Sequence, residues 1–329
     1  MGYKERKIIY KKGKAQRGVK NNMSISKTNK LGKFDRKEEL ICYSLILPQI
    51  IGFLVFTLYP ILWTAKYSWF SYNGIASETR CVGWQNFIDL FTRDPLYWKT
   101  WLTTLEYTLI KIPLELPVSL FIAILLNKQI RGKGFYRAAY FMPTMVSGAI
   151  IAVIFTNMFS FQGLFNNWLL KAGINPIDWF GDKKLSALFV MALASSWNTF
   201  GTNVLYFIAA LSNVPNDVYE AANIDGAGRL RIFFSVTLPM IAPVVSTILL
   251  LSLNGTLHTN DFVLMMTGGA PRGETFTVMS YITDSFVPGF ADTGANIGYG
   301  SCMSLVTSIL MVAFAFGYTR LKNKLDNVY

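Results

Sequence analysis

The chain has 329 residues, 52% of them hydrophobic and only 15% charged, with a net charge of +12. Soluble domains carry about 25% charged residues, so the shortage of charge argues for a membrane protein. One histidine excludes a histidine-rich metal site, and three cysteines (Cys42, Cys81, Cys302) show neither metal spacing nor a disulfide framework.

Residues 1–40 are polar and basic and are expected to form a disordered tail attracted to anionic lipid. The apolar run ICYSLILPQIIGFLVFTLYPILWT follows, with no small-residue cleavage site after it. It reads as a retained span over 41–64 and not as a secretory signal. Five further runs reach the roughly 20 apolar residues that a bilayer crossing needs. They are 101–126, 138–160, 186–211, 239–266 and 299–319. The fold class is therefore all-α: a polytopic membrane protein with six transmembrane helices, its transmembrane domain covering 41–329.

Between the first two spans lies an aromatic-rich segment in which Trp84, Trp98 and Trp101 suit a membrane-interface belt. The second span contains Glu106, Lys111 and Glu115. Lys111 and Glu115 are i,i+4 neighbours suited to a buried ion pair or a proton relay. The fourth span carries Ser195, Asn198, Thr202 and Tyr206 within roughly 80° of helical arc. The fifth carries Asn254, His258 and Asp261, which fall within about 60° on a continuous helix. Polar groups inside spans face the protein interior or a wet path. Two such stripes at matching depth suggest a hydrophilic passage lined by hydroxyls and amides. Trp197, Tyr206 and Phe262 are the candidate stacking surfaces. The alternative is hydrogen bonding between helices. His258 with Asp261 is a poor catalytic pair, because no motif places a nucleophile beside it.

Lysine and arginine orient the bundle. With the N-terminus in the cytoplasm, the inside segments hold 22 of the 31 basic residues and the outside segments 8. Both termini are then cytoplasmic. The positive balance follows from this bias and not from a nucleic-acid surface.

Residues 212–238 lie on the cytoplasmic side and read VYEAANIDGAGRLRIFFSVTLP from Val218 onward. Pro215 suits a first helical turn, and Asp217 with Glu220 gives a capping-box-like spacing. Ala221 and Ala222 keep the helix thin. Gly226 and Gly228 suit its end, since glycine accepts positive φ. Pro239 is expected in the first turn of the next span, where its missing N–H costs nothing. A thin helix with a glycine break suits insertion into a cleft on a partner; the plainer reading is an ordinary loop.

This segment resembles the EAA motif of ABC importer permeases: E-A-A, three residues, Gly, nine residues, then Ile-x-Leu-Pro. Here the pattern is Glu220-Ala221-Ala222, Gly226, then Val236-Thr237-Leu238-Pro239, with Val for Ile as the one departure. The stretches 113–143 and 266–282 are further similar to the carbohydrate-uptake, MalF-like branch. The resemblance covers about 41–329. It implies that 218–228 is a coupling helix seated in a cytoplasmic ATPase, with Tyr219, Glu220, Ala221, Ala222, Asp225, Gly226 and Ala227 as its docking residues.

It also implies the rest of the machine: an ATPase dimer, a second and usually different permease, and an extracellular solute-binding protein, assembled in a bacterial inner membrane. The segment 267–298, with its Thr267-Gly268-Gly269-Ala270-Pro271 run, is expected to help dock that receptor. The substrate would be a sugar or oligosaccharide, contacted by Trp197, Asn198, Thr202, Tyr206, Asn254, His258 and Asp261. No cofactor is expected on this chain; ATP and Mg belong to the ATPase. No G-x-x-x-x-G-K followed by Ser or Thr occurs, so the chain is not expected to be an enzyme by itself. The competing class is an ion-coupled secondary transporter using Glu106, Lys111, Glu115 and Asp261, but the inverted repeats that would favour it are not visible.

Overall fold

A backbone crossing lipid must satisfy its own N–H and C=O groups, and a helix does so within one segment. The computed structural model follows that rule. It describes residues 36–127, 131–292 and 294–326. The tail expected to be disordered lies almost wholly outside the described residues, which begin with the first helix at Arg36. The chain divides into two compact units, one ending at Ile61 and the other beginning at Leu62.

The first helix comprises α1 (Arg36–Phe53), a π-helical turn (Leu54–Leu58) and α2 (Tyr59–Tyr67). A two-stranded hairpin follows, β1 (Phe70–Ser71) antiparallel to β2 (Arg80–Cys81), with Phe70 opposite Cys81. Then come α3 (Gln85–Thr92), α4 (Pro95–Asn127), α5 (Lys133–Phe141), a 3-10 turn (Met142–Met145), α6 (Gly148–Phe159), α7 (Leu164–Lys171) and α8 (Lys184–Ser212). Next are α9 (Asn216–Ile224), α10 (Arg229–Ile232), a second π turn (Phe233–Thr237) and α11 (Leu238–Leu257). The chain ends with α12 (Asp261–Met266), α13 (Val278–Phe286) and α14 (Ile297–Asp326).

Among the described residues, five helices are long and apolar enough to cross a membrane: Leu40–Tyr67, Pro95–Asn127, Gly148–Lys171, Arg229–Leu257 and Ile297–Lys322. Helix α8 is 29 residues long but more polar than these. Its middle holds Ser195, Ser196, Asn198, Thr199, Thr202 and Asn203. Fifteen of its residues are buried, so it is shielded by protein and has less need of an apolar surface.

Two of the expected spans are interrupted. The third, 138–160, is divided by the 3-10 turn at Met142–Met145. The Asn198 amide donates to the Pro143 carbonyl at 2.9 Å and to Val146 at 3.3 Å, so the freed backbone groups are satisfied from α8. Gly201 permits this approach: a methyl group there would collide with the Tyr140 carbonyl oxygen. The fifth, 239–266, starts ten residues early at Arg229 and stops at Leu257 before resuming at Asp261.

Pro239 is therefore inside a continuous helix and not in its first turn. Proline lacks an N–H and its ring crowds the carbonyl four residues back, here that of Ser235. That carbonyl lies in the π turn, whose wider ring relieves the crowding. The same order occurs at Leu54–Leu58 and Pro60.

Three clusters form the core of the second unit. One joins Tyr107 of α4 to Ile151 of α6, Leu188, Met191 and Ala194 of α8 and Val263 of α12. A second joins Ala123 and Leu126 of α4 to Val204, Phe207, Ile208 and Leu211 of α8 and Ile241 and Ile248 of α11. The third packs Leu90, Tyr97, Val278 and Ile282 against Cys302 and Met303 of α14. Helices α4 and α8 run parallel through the first two clusters. They make the most extensive helix pair in the molecule.

Candidate functional site

The short helix α9 hangs between α8 and the long helix that starts at α10, and none of its side chains is fully buried. The expected capping box does not form. Pro215 occupies the N-cap position, and no side chain bonds the first turn. The C-terminal end is built as the glycine predicts. Gly226 has φ of +72°. Its N–H donates to the Asn223 carbonyl at 3.1 Å, and the Ala227 N–H to the Ala222 carbonyl at 3.0 Å. These two bonds are the Schellman pair, which satisfies the orphan carbonyls at a helix end. The helix thus ends at Ile224, short of the expected 228.

The motif residues occupy two sides. Glu220, Ala221, Asp225 and Gly226 are exposed, while Tyr219, Ala222 and Ala227 are half-buried. Tyr219 packs on the α4–α8–α11 cluster. Ile224, on the free side, is 86% exposed.

A polar seam joins α4 to α8. Tyr107, Lys111, Glu115 and Ser119 lie four residues apart on α4; Ser195, Thr199 and Asn203 lie four apart on α8. Tyr107 and Ser195 share a hydrogen bond through their hydroxyls. Glu115 Oε1 accepts from Thr199 Oγ1 at 2.7 Å and from Asn203 Nδ2 at 2.6 Å. Its Oε2 faces Lys111 Nζ at 3.2 Å, with both side chains almost wholly buried. Ser119 Oγ donates to the Glu115 carbonyl at 2.8 Å. Glu106 instead pairs with Lys184 at the start of α8. Thr199 and Asn203 escape the sequence reading. The four-residue spacing they share with the α4 stripe is the signal that marks them.

The expected fourth-span stripe is not one wall. Ser195 belongs to the seam, and Asn198 holds the 3-10 turn. Thr202 is half-buried, while Trp197 and Tyr206 are 41% and 44% exposed. Phe262 packs on the first core cluster and against Gly148, so its ring is engaged internally.

The fifth-span stripe is likewise not one helical face, because the helix breaks at His258–Asn260. The Asn254 carbonyl accepts the His258 N–H at 3.2 Å and lies 2.8 Å from His258 Nδ1. Thr277 Oγ1 donates to the Thr259 carbonyl at 2.7 Å. Asn254, His258 and Asp261 are nonetheless all exposed. Irregular backbone within a span is tolerated only where it is covered by protein or lines water. Among the described residues, no group of three or more His, Cys, Asp or Glu could hold a metal ion.

A helical chain that crosses the membrane repeatedly, breaks one span beside exposed polar side chains and presents a thin capped helix at one end is a transport permease. The chain belongs to the family described as the binding-protein-dependent transport system inner membrane component, whose model matches residues 97–327. It is 32% identical to a probable ABC transporter permease, YesP, of Bacillus subtilis, over 84% of this chain and 88% of that protein. It is 30% identical to the trehalose/maltose permease MalF of Thermococcus litoralis, over 89% and 97%. A solved bacterial alginate ABC transporter, in complex with an alginate pentasaccharide-bound periplasmic protein, shares the fold with a TM-score of 0.71. That match is at 21% identity and covers 88% of this chain and 94% of the other.

Proposed function

We propose that this permease forms half of the membrane pore of an ATP-powered importer for a sugar or oligosaccharide. The observation that carries the reading is α9: an exposed helix closed by Gly226, with the E-A-A spacing and an aliphatic tip. The carbohydrate assignment rests on the named substrates of similar permeases. ATP hydrolysis then occurs on a separate ATPase dimer that holds ATP and Mg, and this chain catalyses nothing itself. Glu220, Ala221, Ala222, Asp225, Gly226 and Ala227 face that ATPase, and Tyr219 anchors the helix from behind. A second permease completes the pore, and an extracellular binding protein delivers the sugar. The lysine and arginine distribution supports cytoplasmic termini in a bacterial inner membrane.

The sugar path runs past the break at His258–Asn260. Asn254, His258 and Asp261 line it, with Thr202 and Tyr206 of α8 facing them; Trp197 lies on the other side of α8 from Tyr206, and Asn198 is spent on the 3-10 turn. Exposure of three polar side chains at a broken span supports this assignment. The ion-coupled alternative is not supported: Lys111 and Glu115 satisfy one another, and Glu106 is paired.

The test is crosslinking in native membranes with cysteine placed at Ala221, together with uptake measured in vesicles with and without ATP. Capture of an ATPase subunit and ATP-dependent uptake are expected. Uptake that ignores ATP and is abolished by an ionophore would sink the reading.

A further inference from the structure

Behind α9 lies a cavity of about 430 Å³ that the coupling role does not use. It is an open recess bordered by the ends of α4 and α8, by Tyr219 of α9 and by the start of the α10–α11 helix. On the orientation proposed above, these are the cytoplasmic ends of three long helices, so the cavity sits at the level of the inner headgroups. Its polar lining is Arg229, Tyr219, Asn127 and Thr237, and the Thr237 hydroxyl is spent on the Ile232 carbonyl at 3.4 Å. The Arg229 guanidinium and the Tyr219 hydroxyl have no hydrogen-bond or ion-pair partner among the described residues. The Asn127 side chain uses only its oxygen, accepting from Ser212 Oγ at 3.2 Å. No acidic residue lines the space, and Ile124 and Phe233 give it an apolar floor.

We propose that this cavity binds an anionic phospholipid. Its phosphate takes the Arg229 charge and the Tyr219 and Asn127 donors, while the acyl chain lies along Ile124 and Phe233. Basic pockets between spanning helices on the cytoplasmic side recognise lipid headgroups in this way, and a guanidinium suits phosphate geometry. A protein acid is a poorer fit. Tyr219 lines the cavity from the side of α9 turned toward the bundle, whereas Glu220 and Ile224 face away from it. Filled, the space becomes a solid support for the helix that receives the ATPase.

The experiment is native mass spectrometry of the intact transporter released from nanodiscs of mixed phosphatidylglycerol and phosphatidylcholine. Arg229→Gln is expected to lower retained phosphatidylglycerol about fivefold, the worth of one cation at a charged headgroup. Arg231→Gln removes the same charge outside the cavity and is expected to retain it. Ile124→Trp fills the floor while keeping the charge and is expected to expel the lipid. Equal loss in both arginine variants, full retention in Ile124→Trp, or displacement by millimolar inorganic phosphate would each overturn the proposal. The readout involves no transport, so it stands or fails apart from the importer reading.

Discussion

Asn203 Nδ2 donates to Glu115 Oε1 at 2.6 Å across the α4–α8 interface, while Lys111 holds the other carboxylate oxygen at 3.2 Å. Glu115 thereby accepts two hydrogen bonds at one oxygen and holds an ion pair, with no hydrogen bond, at the other, in a site almost closed to solvent. A buried ion pair is weak evidence of net stability, but removing one partner strands the other charge. Lys111→Met should therefore destabilise the purified protein by about 3–5 kcal/mol. The double variant Lys111→Met, Glu115→Gln should recover most of that loss. Thermal unfolding in detergent checks both. A single variant as stable as the parent would mean that Glu115 is neutral or reached by water.

This seam shows what was and was not legible in the sequence. The Lys111–Glu115 pair could be read from spacing alone, because i,i+4 neighbours on one helix meet whatever surrounds them. The partner stripe could not be fixed so simply. Ser195, Asn198, Thr202 and Tyr206 also fit a helical face, and periodicity does not say which face meets α4. Packing chose Ser195, Thr199 and Asn203. The breaks in the third and fifth spans were hidden for a related reason. Asn198 and Thr277 satisfy the interrupted backbone from a distance, so neither Pro143 nor the polar stretch 254–261 announced a break by itself. The end of α9 was legible because Gly226 is a local device.

Gly226 offers a test of that device. A Cβ there would meet nothing within 4 Å, so any penalty comes from its φ of +72° alone. For an ordinary side chain that conformation costs roughly 1–2 kcal/mol. Gly226→Val should unwind the turn and stop ATP-dependent uptake while membrane insertion persists. Gly226→Asn, whose side chain tolerates the left-handed region, should retain most activity. Equal uptake by the two variants would refute a backbone role.

Gly201 should behave oppositely, because its constraint is space. Its backbone is helical and the obstacle is the Tyr140 carbonyl. Gly201→Ala should separate α8 from the 3-10 turn and weaken the Asn198 bonds, costing about 1–3 kcal/mol. Gly201→Asn should fare worse than Gly201→Ala, whereas at Gly226 asparagine is the tolerated replacement. Thermal melts of the two Gly201 variants decide it, and an unchanged melting temperature for Gly201→Ala would exclude the close approach.

The nine residues between Gly226 and Val236 include most of the π turn Phe233–Thr237, so the spacing of the motif counts a structural insertion. A π turn holds one residue more than the α-turn it replaces. Deleting Ser235 should restore regular α-helix and relieve no other contact, since that side chain is exposed. Each residue of an α-helix turns the chain by about 100°. The deletion would therefore swing α9 and α10 by that angle about the axis of α11, carrying Ile224 and Glu220 away from their docking direction. Pro239 would at the same time meet a regular carbonyl four residues back and kink the helix. The expected outcome is a protein that inserts and assembles its core but whose ATPase no longer responds to the loaded binding protein. Substrate-stimulated ATP hydrolysis in nanodiscs measures this. Stimulation equal to the parent's would show that the π turn has no part in setting the direction of α9.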